Sequence, residues 1–274
     1  MAGTLQNRAE KHQALVSEQR QFEIKVDEFS KLLYSGPMQK QLKLALPKNF
    51  LPERLARIML TQIRATPELM ACTQPTRLGA LLECAALGLM PGQLGECWIV
   101  PFKGAATLMI GYRGMAQLAW RSERISSIMS RCVFDGDEFT RDLAAERPTH
   151  VSHVDPTVGK LTHAYSIVMT TNQGVIWDPM TRLEIERIRD LSQQRKGIPW
   201  TKHFNEMAKK TVLRRLMKTA PQSPEWTRGE LLEIAGDTGQ PQGLEFDFDS
   251  SKDVIVDAEV IPEREDGEGP RVDG

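Results

Sequence analysis

The chain has 274 residues, 41% of them apolar and 26% charged, which suits one large globular domain or two small ones. No apolar run approaches the ~20 residues that span a bilayer, the polar start MAGTLQNRAEKHQ lacks the apolar region of a secretory signal, and the four scattered cysteines form no CxxC pair; a reduced, cytoplasmic protein is expected. The net charge of −1 hides an asymmetry, because residues 237–274 hold 12 acidic against 3 basic side chains, a net of −9, and residues 1–236 hold 24 against 32, a net of +8. A basic body suggests a polyanionic partner.

Residues 1–25 are polar and helix-compatible, and are expected to be loosely ordered. VDEFSKLLYS reads as a short amphipathic helix stopped by Gly36-Pro37. A second helix is expected from about Met38 to Leu46, before Pro47. Pro52 starts a third, PERLARIMLTQIRA, with Leu55, Ile58, Met59 and Ile63 at helical spacing. Thr76 is expected to cap a fourth, RLGALLECAALGL. The period then changes. GECWIVPF and ATLMIG flank the turn-prone Lys103-Gly104 and predict a β-hairpin. A short helix near Gly114 and the strand-like ISSIMSRCVF follow, the latter ending at Asp135-Gly136. HAYSIVMTT and GVIWDP predict a second hairpin around Asn172-Gln173-Gly174. Helices return over about 181–192, 200–219 and 224–235. Beyond Gly236 the Gly, Pro and acidic content predicts a disordered tail. The expected fold class is α+β, with helices packed around a small central antiparallel sheet. The expected division is a polar N-terminal segment 1–25, a folded core 26–236 and an acidic C-terminal tail 237–274.

Several chemistries have no anchor. There is no G-x-x-x-x-G-K-[ST] phosphate loop, and the five histidines form no H-E-x-x-H or zinc pattern. His150 and His153 lie in a Pro-rich stretch that reads as a surface loop. Cys84 and Cys97 sit on apolar patterns and read as core. No cofactor and no metal site are expected.

Two features point to nucleic acid. On a helix, His203, Met207, Lys210, Arg214 and Lys218 form one stripe, and Phe204, Ala208, Val212 and Leu216 form its neighbour. The second stripe can pack on the sheet while the first faces a groove. Lys209–Lys218 holds five cations and no acid, whereas ordinary solvated faces interleave signs. Trp200, one turn upstream, could stack on a base. The other feature is Gly111-Tyr112-Arg113-Gly114, a strand-to-helix junction. There the first-turn N–H groups, a bidentate arginine and an aromatic face would suit a phosphate and a base. A tight turn is the plain alternative.

The blocks ALPKNFLPERLARI, CAALGLMPGQLGECWIVPF, LMIGYRGMAQLAWRSERI, DGDEF and HFNEMAKKTVLRRLMKTAP, in this order and covering roughly Leu44 to Pro221, resemble the RecT family of phage-type single-strand annealing recombinases. The resemblance implies ATP-independent binding of single-stranded DNA and annealing of complementary strands in homologous recombination, by a homo-oligomeric ring or filament and without enzymatic catalysis. It implies single-stranded and annealed duplex DNA as partners. A companion exonuclease and a host single-strand-binding protein are natural further candidates. The expected DNA contacts are Tyr112, Arg113, Lys209, Lys210, Arg214 and Arg215, followed by Trp98, Phe102, Lys103, Arg121, Trp200 and His203. The runner-up is a sequence-tolerant nucleic-acid-binding protein that protects strands without annealing them.

Overall fold

The computed structural model describes residues 2–248 except 49, 93, 143, 156 and 157, with side chains from residue 11 onward. The chain opens with α1 (Ala2–Leu33), one continuous helix where a loose segment and a short helix are expected from sequence. Val26, Phe29 and Leu33 repeat at intervals of three and four and are buried. Residues 11–25 are exposed apart from Phe22, so the N-terminal half of the helix leaves the body.

Helices α2 (Gly36–Ala45) and α3 (Pro52–Ala65) both carry proline in the first turn, where its missing N–H costs nothing. A 3-10 turn over Pro67–Ala71 leads to α4 (Gln74–Ala86). This helix starts two residues before Thr76, whose hydroxyl instead donates to the Thr73 carbonyl at 2.9 Å. Strands β1 (Cys97–Phe102) and β2 (Ala105–Ile110) form the expected hairpin, with Trp98 opposite Met109. At its turn Lys103 and Gly104 both take positive φ, 50° and 80°.

Helix α5 (Tyr112–Trp120) follows at once. Strand β3 (Ile125–Phe134) pairs antiparallel with β6 (Leu161–Thr170), which pairs with β7 (Val175–Thr181). A small hairpin of β4 (Glu138–Thr140) and β5 (Thr149–Val151) lies between them in sequence. Then come α6 (Arg182–Leu191), α7 (Ile198–Lys202), α8 (Phe204–Leu216) and α9 (Pro224–Thr238). Small antiparallel sheets framed by helices are therefore the architecture, in agreement with the α+β expectation.

The larger core joins α1–α5 and the β1–β2 hairpin to Leu213, Leu216, Trp226 and Leu232. A smaller one packs Ala208 and Val212 of α8 on Ala164 and Met180 of the three-stranded sheet, with Trp200 at its margin. Cys84 and Cys97 are fully buried, their sulfurs 3.9 Å apart, as core residues. The boundary expected at residue 236 does not end the packed chain. Residues 240–248 run back over the body: Leu244 is buried, and the Gln242 side chain bonds both backbone groups of Leu108 at 2.7 and 2.8 Å. The rest of the expected tail, 249–274, lies outside the described residues.

Candidate nucleic-acid interface

The Gly111–Gly114 junction is built by close backbone approach. Helix α5 begins at Tyr112, with Gly111 as its N-cap and Gly114 inside the first turn. A Cβ on Gly114 would sit 2.1 Å from the Glu96 carbonyl oxygen, and one on Gly111 would sit 2.3 Å from that of Gly95. The glycines thus admit the chain's own 95–96 loop, where the sequence suggests room for an anion. The Gly111 N–H donates to the Glu96 carbonyl at 2.8 Å and closes the junction.

What the junction displays is Arg113 and Trp98. Arg113 is exposed, and one of its five N–H groups donates to the Leu94 carbonyl at 3.2 Å. Trp98 is 40% exposed, and its ring lies against Gly111. Both side chains reach the space above Gly95. Tyr112 is half-buried. Its hydroxyl accepts from the Ser130 N–H at 2.9 Å, capping the edge of β3, and Lys209 Nζ stands 5.4 Å from its ring centroid.

A small crevice between β2 and α8 is lined by Met109, Trp200, Met207 and Lys210, with Glu233 and Asp237 of α9 opposite. Its charge is the finding that departs furthest from expectation. Lys210 is 4% exposed and paired to Glu233, whose other oxygen accepts from the Ile110 N–H. Arg214 donates to Glu230 at 2.9 Å and Asp237 at 2.7 Å. Burial acts to lower the Arg214 pKa, but the surrounding carboxylates outweigh it and raise the value. Arg215 bonds Asp178 at 2.8 Å and Glu184 at 3.0 Å, and Lys209 pairs with Glu206. Of the stripe, Met207 and Lys210 line the crevice, and the charges of Lys210 and Arg214 are paired with Glu233, Glu230 and Asp237 of α9. Lys210, Arg214 and Arg215 are thus each held in ion pairs within the body.

Four weaker candidates divide the same way. Trp200 is 6% exposed and packs near Phe204, so it belongs to the core. Arg121 donates to the Gly88 carbonyl at 3.4 Å. Lys103 is exposed at the hairpin turn, 5.2 Å from the Phe102 ring, and also donates to the Gly239 carbonyl. His203 is exposed at the start of α8. Arg113, Trp98, Lys103 and His203 thus remain accessible, with Phe102 and Lys209 half-buried beside them.

A cluster that sequence reasoning assigned to a surface loop lies on the three-stranded sheet. Asp137 accepts from the N–H groups of Phe134, His153 and Val154, and His150 lies within 3.3 Å of the same carboxylate. The other His150 nitrogen contacts the Tyr165 hydroxyl at 3.1 Å, and Phe139 stacks on the Tyr165 ring. Burial acts to raise the Asp137 pKa, but these donors hold the carboxyl far below the usual range. The cluster fastens β4 and β5 to the sheet. Strands of three residues are too short to show a period of two, so only the turn signal at Asp135-Gly136 marked the place.

Residues 53–240 match the model of the RecT family. The chain belongs to the RecT family. It is 38% identical to Protein RecT of Escherichia coli (strain K12) over 200 residues, 70% of this chain and 74% of that one. It is also 26% identical to the uncharacterized protein YqaK of Bacillus subtilis (strain 168) over 129 residues, 45% of this chain and 43% of that one. Family membership makes this a recombination and annealing protein that binds single-stranded DNA. The RecT match takes in every candidate contact and leaves α1, α2 and residues 241–274 outside it.

Proposed function

We propose that the protein binds single-stranded DNA along the β1–β2 hairpin and the start of α5, and anneals complementary strands without ATP as a homo-oligomer. The RecT match over residues 53–240 carries this reading. The exposed Trp98 and Arg113 give it a physical form, since an indole face suits any base and a guanidinium suits a phosphate. Annealing draws its free energy from base pairing. The protein need only hold strands extended, screen their repulsion and bring two together. A single core spans few nucleotides, so many copies side by side are needed for long strands. A companion exonuclease and a single-strand-binding protein fit as partners in this scheme. The test mixes purified protein with two complementary labelled oligonucleotides in the absence of ATP, and follows duplex yield and strand length together. Faster duplex formation with strands of unchanged length is expected. Binding without acceleration would leave a strand-protecting protein, and shortened strands would reveal a nuclease; either overturns the proposal.

A further inference from the structure

We infer that Trp120 and Arg124 form a second station for single-stranded DNA, a stacking face and a phosphate ligand at the opposite end of α5 from Trp98 and Arg113. The inference rests on the DNA-binding reading above and extends the strand's path to residues that reading leaves unused. Three observations support it.

The first is exposure. The chain has five tryptophans. Trp200 and Trp226 are buried, and Trp177 is half-buried with its indole N–H on the Ala145 carbonyl. The two exposed ones bracket a single helix. Trp98 lies against Gly111, the N-cap of α5, and Trp120, 53% exposed, is the last residue of that helix. The Trp120 indole N–H donates to the Ser126 carbonyl at 3.4 Å, which holds one edge of the ring against the start of β3. An aromatic ring held by its edge and open to solvent suits a base of any sequence.

The second is alignment. Arg113, Gln117 and Trp120 follow one another at intervals of four and three and share one stripe of α5, while the buried Gly114, Met115, Leu118 and Ala119 take the opposite side. Arg113 meets Trp98 in the space above Gly95, so the stripe continues from the hairpin without a break. The rise from Arg113 to Trp120 is ~10 Å at ~1.5 Å per residue, the length of about three stacked base steps at ~3.4 Å.

The third is charge. From Cys97 to Ile125 the chain carries Lys103, Arg113, Arg121 and Arg124 against one acid, Glu123. Among the described residues none of these four cations is ion-paired with a carboxylate, unlike those of α8. Arg124 is exposed in the turn that joins α5 to β3, and its carbonyl accepts from the Thr171 N–H at 3.0 Å. Its backbone is therefore held while its guanidinium remains in solvent, able to take a phosphate through two N–H groups.

The full-length parent and the variants Trp120→Ala, Trp120→Phe, Arg124→Ala and Arg113→Ala are titrated with a labelled 30-nucleotide oligothymidine at several salt concentrations. Thermal melting checks folding, and sedimentation without DNA checks assembly. Trp120→Ala should weaken binding about 5- to 100-fold with an unchanged salt slope, because stacking releases no counterions. Trp120→Phe should recover most of the loss, and Arg124→Ala should reduce the slope by ~0.7. In a Trp98→Phe background the oligonucleotide should still quench tryptophan fluorescence, and adding Trp120→Phe should remove that quenching. If Trp120→Ala binds like the parent while Arg113→Ala is weakened, the second station is overturned and the hairpin site stands. A smaller assembly for Trp120→Ala in the absence of DNA would make this face a contact between copies and overturn the inference equally. Failure of the parent to bind the oligonucleotide would sink the DNA-binding reading, and this one with it.

Discussion

Arg113 and Lys210 show how alike two cations can look in sequence and how differently they are used. Arg113 stands in solvent with most of its donors free, so Arg113→Ala should leave the melting temperature unchanged while weakening single-stranded DNA binding. Losing one phosphate contact should also reduce the slope of log affinity against log salt by ~0.7, as read from titrations at four or more salt concentrations. An unchanged slope would remove Arg113 from the interface. Lys210 is enclosed with Glu233, and removing one member of a buried pair leaves the other uncompensated. Lys210→Ala should therefore destabilise the fold by ~3 kcal/mol in urea unfolding. The sequence showed five cations without an acid in Lys209–Lys218 and suggested a free basic face. The partners of Lys210, Arg214 and Arg215, namely Asp178, Glu184, Glu230, Glu233 and Asp237, come from other elements, and no local window can reveal them. The junction was legible in its residue types but not in its purpose, because a glycine that admits an anion and one that admits a neighbouring carbonyl look the same.

Among the elements, those with a clear period or punctuation were readable. Proline at the start of α3, the turn at Lys103-Gly104 and the turn at Asn172-Gln173-Gly174 each fall where the sequence places them. The start of α4 and the whole β4–β5 hairpin were not, because the Thr76 hydroxyl turns back to the Thr73 carbonyl inside the first turn instead of capping it, and three-residue strands carry no pattern. Helix α6 shows an element held by one carboxylate. Glu184 forms a capping box with Thr181 and also receives Arg215. Burial acts to raise its pKa, but the Thr181 donors and Arg215 bring it down to about 2 from an ordinary 4.5. A folded-state value below the unfolded one gives stability that is present above pH 4.5 and is lost as pH falls toward 2. Glu184→Gln should flatten the acid limb of the stability profile in that window and leave it parallel to the parent above pH 5. A variant that tracks the parent's acid limb throughout would rule out this linkage.

At the scale of the whole molecule, the strap after α9 decides where the protein can be cut. The sequence suggests that everything beyond Gly236 is dispensable. The structure shows Leu244 buried and Gln242 bonded to the β2 backbone. Ending the chain at 236 should lower stability by at least ~2 kcal/mol, the contribution of one buried leucine, whereas ending it at 248 should leave the melting temperature within error. Calorimetry of the two truncations distinguishes these outcomes. Assembly belongs to the same scale: annealed duplex should hold the oligomer together better than either single strand, and sedimentation of a monomer with both strands present would exclude this. The projecting half of α1 offers a way to watch it. A helix advances ~1.5 Å per residue, so the exposed stretch from Phe22 back to Lys11 is on the order of 16 Å long. A dye placed there rides on a stiff helix whose side chains touch little of the body, and can be added without disturbing the fold. If copies assemble side by side as proposed, energy transfer between dyes on neighbouring α1 helices should appear when complementary strands are added and should read the subunit spacing directly.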